Sequence, residues 1–137
     1  MTTLVDLNVI LDVVQHREPH YTNSAVLLSK IVEGAVDGAV PGHAITTVYY
    51  LVRRYVNKER AETTIDWLLT HLTVVSADET DFRAARQRAM DDFEDAVVAV
   101  LADRISCDVI TTRNVNDFGA SPMPAAPPQE TLDDADV

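Results

Sequence analysis

A three-layer α/β/α sandwich around a mostly parallel sheet of four or five strands is the fold class the sequence predicts. Three observations predict it. Short apolar and β-branched runs, Thr3-Leu4-Val5, Leu72-Thr73-Val74-Val75 and Val109-Ile110-Thr111-Thr112, lack the strict polar alternation of a half-solvated strand, as strands covered on both faces do. Longer stretches with helical periodicity separate them, and strands alternating with helices imply crossover connections and parallel pairing. The chain of 137 residues is 47% hydrophobic, enough for one compact domain with a core of its own.

The elements follow in order. Strand one, residues 3–5, stops at Asp6, and residues 7–14 turn into a helix behind it. His16-Arg17-Glu18-Pro19 breaks that helix. The next helix carries Ala25, Leu28, Ile31 and Val32 on one stripe and meets Gly34 near its end. Residues 35–40 form a second strand beside Gly38 and Pro41. Residues 44–55 and 59–71 are helical, with Ile65, Leu68, Leu69 and Leu72 sharing a face. After the strand at 72–75, Asp78 or Thr80 caps a helix running to about Met90, and residues 92–105 form another. The strand at 109–112 is followed by Gly119, Pro122, Pro124, Pro127 and Pro128, which leave room only for a short edge strand near residues 123–125. The domain is expected to span residues 1–128, with residues 129–137 as an acidic tail.

Composition excludes several classes. The N-terminal apolar stretch has no basic flank and is interrupted by Asp6, Asn8 and Asp12, so it reads as neither a signal peptide nor a membrane span. A soluble cytoplasmic protein without a membrane partner is expected. Cys107 stands alone and is expected to be a buried structural thiol. The four histidines, His16, His20, His43 and His71, lack ligand-like spacing and are expected at surface or capping positions. A formal net charge of −11 argues against a general nucleic-acid-binding surface, because anionic proteins repel phosphate at long range. The basic residues gather in two groups, at residues 53–60 and 83–88, and solvated helix faces explain these slightly better than phosphate contacts do.

The acids carry the chemistry. Asp6 ends the first strand, Asp92 and Asp95 open a late helix one turn apart, and Asp117 follows the strand at 109–112. Each alone has a structural explanation as a cap or turn residue. Together they converge on the carboxyl edge of one parallel sheet, where ligands bind. Converging like charges are unfavourable unless a cation sits among them or their pKa values rise. Hard divalent ions such as Mg²⁺ and Mn²⁺ take oxygen ligands of this kind. They acidify water and neutralise charge developing on a phosphodiester. No Walker loop, HExxH, cysteine cluster or serine triad competes. A phosphotransfer domain, the third possibility, wants a second acid two residues after the first or a late lysine, and the chain has Asn8 and no lysine after Lys58.

These motifs resemble a known family. Asp6-Leu7-Asn8-Val9-Ile10, Asp92-Phe93-Glu94-Asp95-Ala96 and Thr112-Arg113-Asn114 with Asp117-Phe118 look like the PIN domain, in its VapC-like toxin branch. The resemblance runs from Leu4 to about Leu132. It implies a Mg²⁺- or Mn²⁺-dependent ribonuclease cleaving RNA, a homodimer, and a small antitoxin protein as partner. By the same resemblance Asp6, Asp95 and Asp117 hold the metal, and Asp92 is an auxiliary catalytic acid. Asn8, Thr47, Asn114 and Arg113 then orient water or substrate, although Arg113 reads equally as an outward surface arginine. Two positions depart from the family pattern. Thr47 stands where a glutamate is common and Asn114 where an aspartate is common. Both hydrogen-bond, yet neither supplies charge. The alternative reading is therefore a catalytically weakened PIN domain that binds protein or RNA.

Overall fold

The computed structural model describes residues 1–135. Five strands, β1 (Thr2–Val5), β2 (Asp37–Pro41), β3 (Thr73–Val75), β4 (Val109–Thr111) and β5 (Ala125–Ala126), pair throughout in parallel, in the order β3-β2-β1-β4-β5. The chain builds outward from β1 in both directions, so the crevice between β1 and β4 is the place where crossovers diverge. Register fixes what meets there. Val5 lies opposite Thr111, and the next residues on each strand are Asp6 and Thr112.

Among the described residues, seven helices cover the sheet: α1 (Leu7–Val14), α2 (Tyr21–Glu33), α3 (Gly42–Tyr55), α4 (Lys58–His71), α5 (Glu79–Arg86), α6 (Phe93–Arg104) and α7 (Pro128–Ala135). One layer of core joins α1 to α4 with Val5, Val40 and Leu132. The other packs α5 and α6 on Leu4, Ala39 and Ile110. Residues 96–102 of α6 are buried on every side, the mark of a helix enclosed by the fold rather than one with a wet face. Such burial stabilises by about 1.5–3 kcal/mol for each large aliphatic side chain, and it holds the start of α6 in place. Asp92 caps that start, accepting from the Asp95 N–H at 2.9 Å.

Several boundaries shift from those expected. Gly34 ends α2 in the left-handed region at φ 84°, where a residue without Cβ is unstrained. The helix after Asp78 stops at Arg86, short of Met90, despite a complete capping box between Asp78 and Asp81. The expected acidic tail falls largely on α7. Its apolar Leu132 is buried in the first core layer, and its Thr131 hydroxyl bonds that of Thr111 on β4 at 2.9 Å. Residues 136 and 137 of that tail lie outside the described residues. Cys107 is buried, and burial pushes its thiol pKa up. Among the described residues, no helix is long and apolar enough to cross a membrane.

Candidate active site

Asp6 leaves β1 and caps α1, and this local role fixes its carboxylate. Oδ1 accepts from the Leu7 N–H at 2.8 Å. Oδ2 accepts from the Thr112 hydroxyl at 2.8 Å and from the Asn8 amide at 3.3 Å. The same Thr112 oxygen receives the Asn8 amide at 3.2 Å and the Asn114 N–H at 3.0 Å. The Arg113 N–H reaches back to Asn8 Oδ1 at 3.3 Å. Burial raises the pKa of Asp6, against the lowering effect of the Thr112 and Leu7 bonds; Glu94 raises it further and His43 lowers it. Thr112→Val is therefore expected to raise the Asp6 pKa further and to weaken binding of a divalent ion by about 10–100-fold, the usual loss when a ligand's outer partner goes. Calorimetric Mn²⁺ titration checks this.

The first turn of α6 supplies the second group. Asp92, Glu94 and Asp95 line a concavity of about 470 Å³ with Asn114 and Asp117 opposite them. Asp95 is half-buried and its carboxyl is pushed up to about 7, first by burial and then by Asp92, Asp6, Asp117 and Glu94. Asp6 does not line the concavity, yet its charge is felt at Asp95. Asp92 and Asp117 are exposed at the rim. Four acids thus make Asp95 a place where a cation is favoured and a lone carboxylate is not.

Among the described residues, no three His, Cys, Asp or Glu side chains form a compact metal-holding group. The donors nevertheless suit a hard divalent ion, since Mg²⁺ keeps several waters and needs only one or two direct carboxylates. The observation that supports this fit is the raised pKa of Asp95 amid like charges.

The other expected residues divide. Asn8 and Asn114 stand in the Asp6–Thr112 network. Thr47 lies on α3 and donates its hydroxyl to the His43 carbonyl one turn back, at 3.1 Å. The Arg113 guanidinium points inward, its Nε 2.7 Å from Oδ2 of the fully buried Asp12. Three participants lie outside the expected set. Thr112 holds Asp6, and its threonine sits in the motif that flagged its neighbours. Asp12 stands among the apolar residues Val9 to Val14 of α1, a sign of a buried polar role. His43, expected at a surface or cap, sits 3.6 Å from Glu94.

The chain's likeness to known proteins bears on its family and fold. A family model described as PIN domain matches residues 2–116. The chain belongs to the PIN domain family. Comparison with curated proteins finds no match. Solved structures with the same fold include the VapBC2 complex of Rickettsia felis bound to a promoter DNA fragment. It has TM-score 0.67 and 15% identity, with 93% of this chain and 98% of that one covered. VapBC-1 of nontypeable Haemophilus influenzae matches with TM-score 0.68 and 15% identity over 94% and 99% of the two chains. Mycobacterium tuberculosis VapC20, described as a toxin cleaving the sarcin–ricin loop, matches with TM-score 0.68 and 12% identity over 88% and 95%. At these identities the likeness concerns the PIN fold.

Proposed function

We propose that this PIN domain is a divalent-metal-dependent endoribonuclease that acts as the toxin of a toxin–antitoxin pair. The observation carrying this reading is Asp95, pushed up to about 7 beside Asp92, Asp117 and Asp6 at the crevice where the sheet order diverges. Asp6, Asp95 and Asp117 would hold Mg²⁺ or Mn²⁺, which supplies positive charge against the scissile phosphate and an acidified water. Asp92 fixes the first turn of α6 through the Asp95 N–H and keeps the site acidic. Thr112 and Asn8 aim Asp6. Asn114, at the concavity's edge, offers its amide to water or phosphate. Thr47 adds no charge, so the ion rests on fewer carboxylates than the family pattern allows. Arg113 serves by holding Asn8 through its backbone N–H, its guanidinium being engaged with Asp12.

Partner binding belongs to the same reading. An apolar groove of about 720 Å³ runs between α1, α2 and α4, lined by Ile10, Val14, Leu28, Val32 and Trp67 with Arg60 at its edge. An amphipathic antitoxin segment fits such a groove. Tyr50 on α3 and Leu69 on α4 are exposed and suit a homodimer contact. An RNA substrate places the protein in the cytoplasm.

The test is cleavage of single-stranded RNA by the purified protein in Mg²⁺ or Mn²⁺. Chelation with EDTA is expected to abolish it and added Mn²⁺ to restore it. Cleavage indifferent to EDTA overturns metal dependence. A protein that binds an antitoxin-like peptide in the groove and never cuts RNA belongs instead to the second reading, a weakened binding domain. Thr47 without charge and the open spacing of the acids favour that reading.

A further inference from the structure

Two aromatic rings beside the acids have no part in the reading above. Phe93 opens α6 between Asp92 and Asp95, yet it is 46% exposed; Phe82 on α5 is 44% exposed. Their ring centroids lie 6.3 Å apart with planes inclined by 29°. The core between α5 and α6 is already filled by Ala85 and residues 96–102, so these rings are not needed to close it. Leaving two phenyl groups half in water forgoes part of the stabilisation that burial gives.

Phe93 is flanked in sequence by Asp92 and Glu94, which line the acidic concavity. Phe82 walls a neighbouring hollow with Gly42, His43 and Ser76. His43 and Glu94, 3.6 Å apart, join the hollow to the concavity. The hollow walled by Phe82 thus neighbours the acids, and Phe93, stacked on Phe82, lies between two of them in sequence.

Charge decides what such a pair can hold. The chain carries a net −11, and the concavity is lined by acids. Two arginines next in sequence to residues lining it are engaged elsewhere, Arg113 with Asp12 and Arg88 with Asp103. Phosphate contacts, which need free Lys or Arg, are poorly provided for here. The π-face of a base is uncharged, and base–aromatic stacking holds a strand without adding cations.

We infer that Phe82 and Phe93 form a stacking platform for an unpaired nucleobase beside the bond to be cleaved. This rests on the ribonuclease reading and adds a contact to it: one unpaired base of the RNA, splayed from its neighbours, lies against the two rings.

The experiment pairs protein and RNA changes. Phe82→Ala and Phe93→Ala are each expected to raise KM for a single-stranded oligonucleotide about tenfold, within the range of base stacking, with a smaller change in kcat. Phe93→Trp retains affinity. Circular dichroism verifies that each variant folds. An abasic nucleotide moved along the oligonucleotide is expected to raise the wild-type KM at one position by a similar factor. In the Phe82→Ala/Phe93→Ala double variant it should have no effect there. Wild-type cleavage with KM unchanged in both alanine variants overturns the platform and leaves the ribonuclease reading standing. Altered oligomeric mass with unchanged KM assigns the rings to a protein contact and also overturns it. Wild-type protein that neither binds nor cuts RNA overturns both.

Discussion

Replacing Asp95 with asparagine is expected to lower RNA cleavage by more than about 100-fold while making the metal-free protein more stable at neutral pH. Loss of an outer partner of a metal ligand already reduces affinity or activity by about 10–100-fold, and Asp95 stands at the centre of the acid group. The stability gain has the opposite sign for a clear reason. The carboxyl is raised from 3.8 to about 7 in the folded chain, so between those values the folded state holds a proton that the unfolded state has released. Stability from this group is therefore present in full below about pH 4 and is lost as pH rises through 7. Asparagine cannot ionise and escapes the loss. Thermal melts of wild type and Asp95→Asn without metal should coincide near pH 4 and separate by pH 8, the variant melting higher. Added Mn²⁺ should raise the wild-type melting temperature and leave the variant's almost unchanged, since only a folded state that binds the ion gains from it. A variant that melts lower than wild type at pH 8 would show that Asp95 serves packing rather than charge.

The fold was legible because its signals are local and periodic. Buried strands at 3–5 and 109–112 read as apolar runs, and the start of α6 was marked by Asp92 as its cap. The family signature likewise rests on short motifs. The strand order was not legible, since it depends on long-range register such as Val5 opposite Thr111. Nor was the docking of α7. Its sequence is acidic, follows three prolines and opens on a fourth, and the burial of Leu132 and the Thr111–Thr131 hydroxyl pair draw it onto the domain. In the site, acids at strand ends could be placed on one edge by topology alone. What each side chain touches could not. Arg113 appeared in a motif beside the acids and suggested substrate, whereas its guanidinium turns toward Asp12 on α1. His43 lay far in sequence from Glu94, and only the folded chain brings the two together.

That inward arginine carries the second large effect. Asp12 is fully buried, and Arg113 Nε at 2.7 Å is its strongest partner, with Ser24 Oγ at 3.3 Å. Its other oxygen, Oδ1, has no hydrogen-bond partner among the described residues. Arg113→Ala strands a charge in a low-dielectric interior, and breaking a buried pair from one side costs about 3–5 kcal/mol. Against a typical total of about 5–15 kcal/mol, that is a large fraction, and chemical denaturation should report it as a lower midpoint with an unchanged slope. Asp12→Leu should cost less, because the arginine left behind lies near the surface and can reach water. The double change Asp12→Leu with Arg113→Met should recover most of the loss, as apolar replacement of a buried pair often does. Catalysis is expected to follow a different order. The Arg113 backbone N–H holds Asn8, which steadies Asp6, so any change that lets the 112–114 segment drift should weaken Mn²⁺ binding even where stability is restored. If the double variant regains both stability and ion affinity, the ion pair serves the fold alone; if affinity stays low, Asp12 and Arg113 position the site.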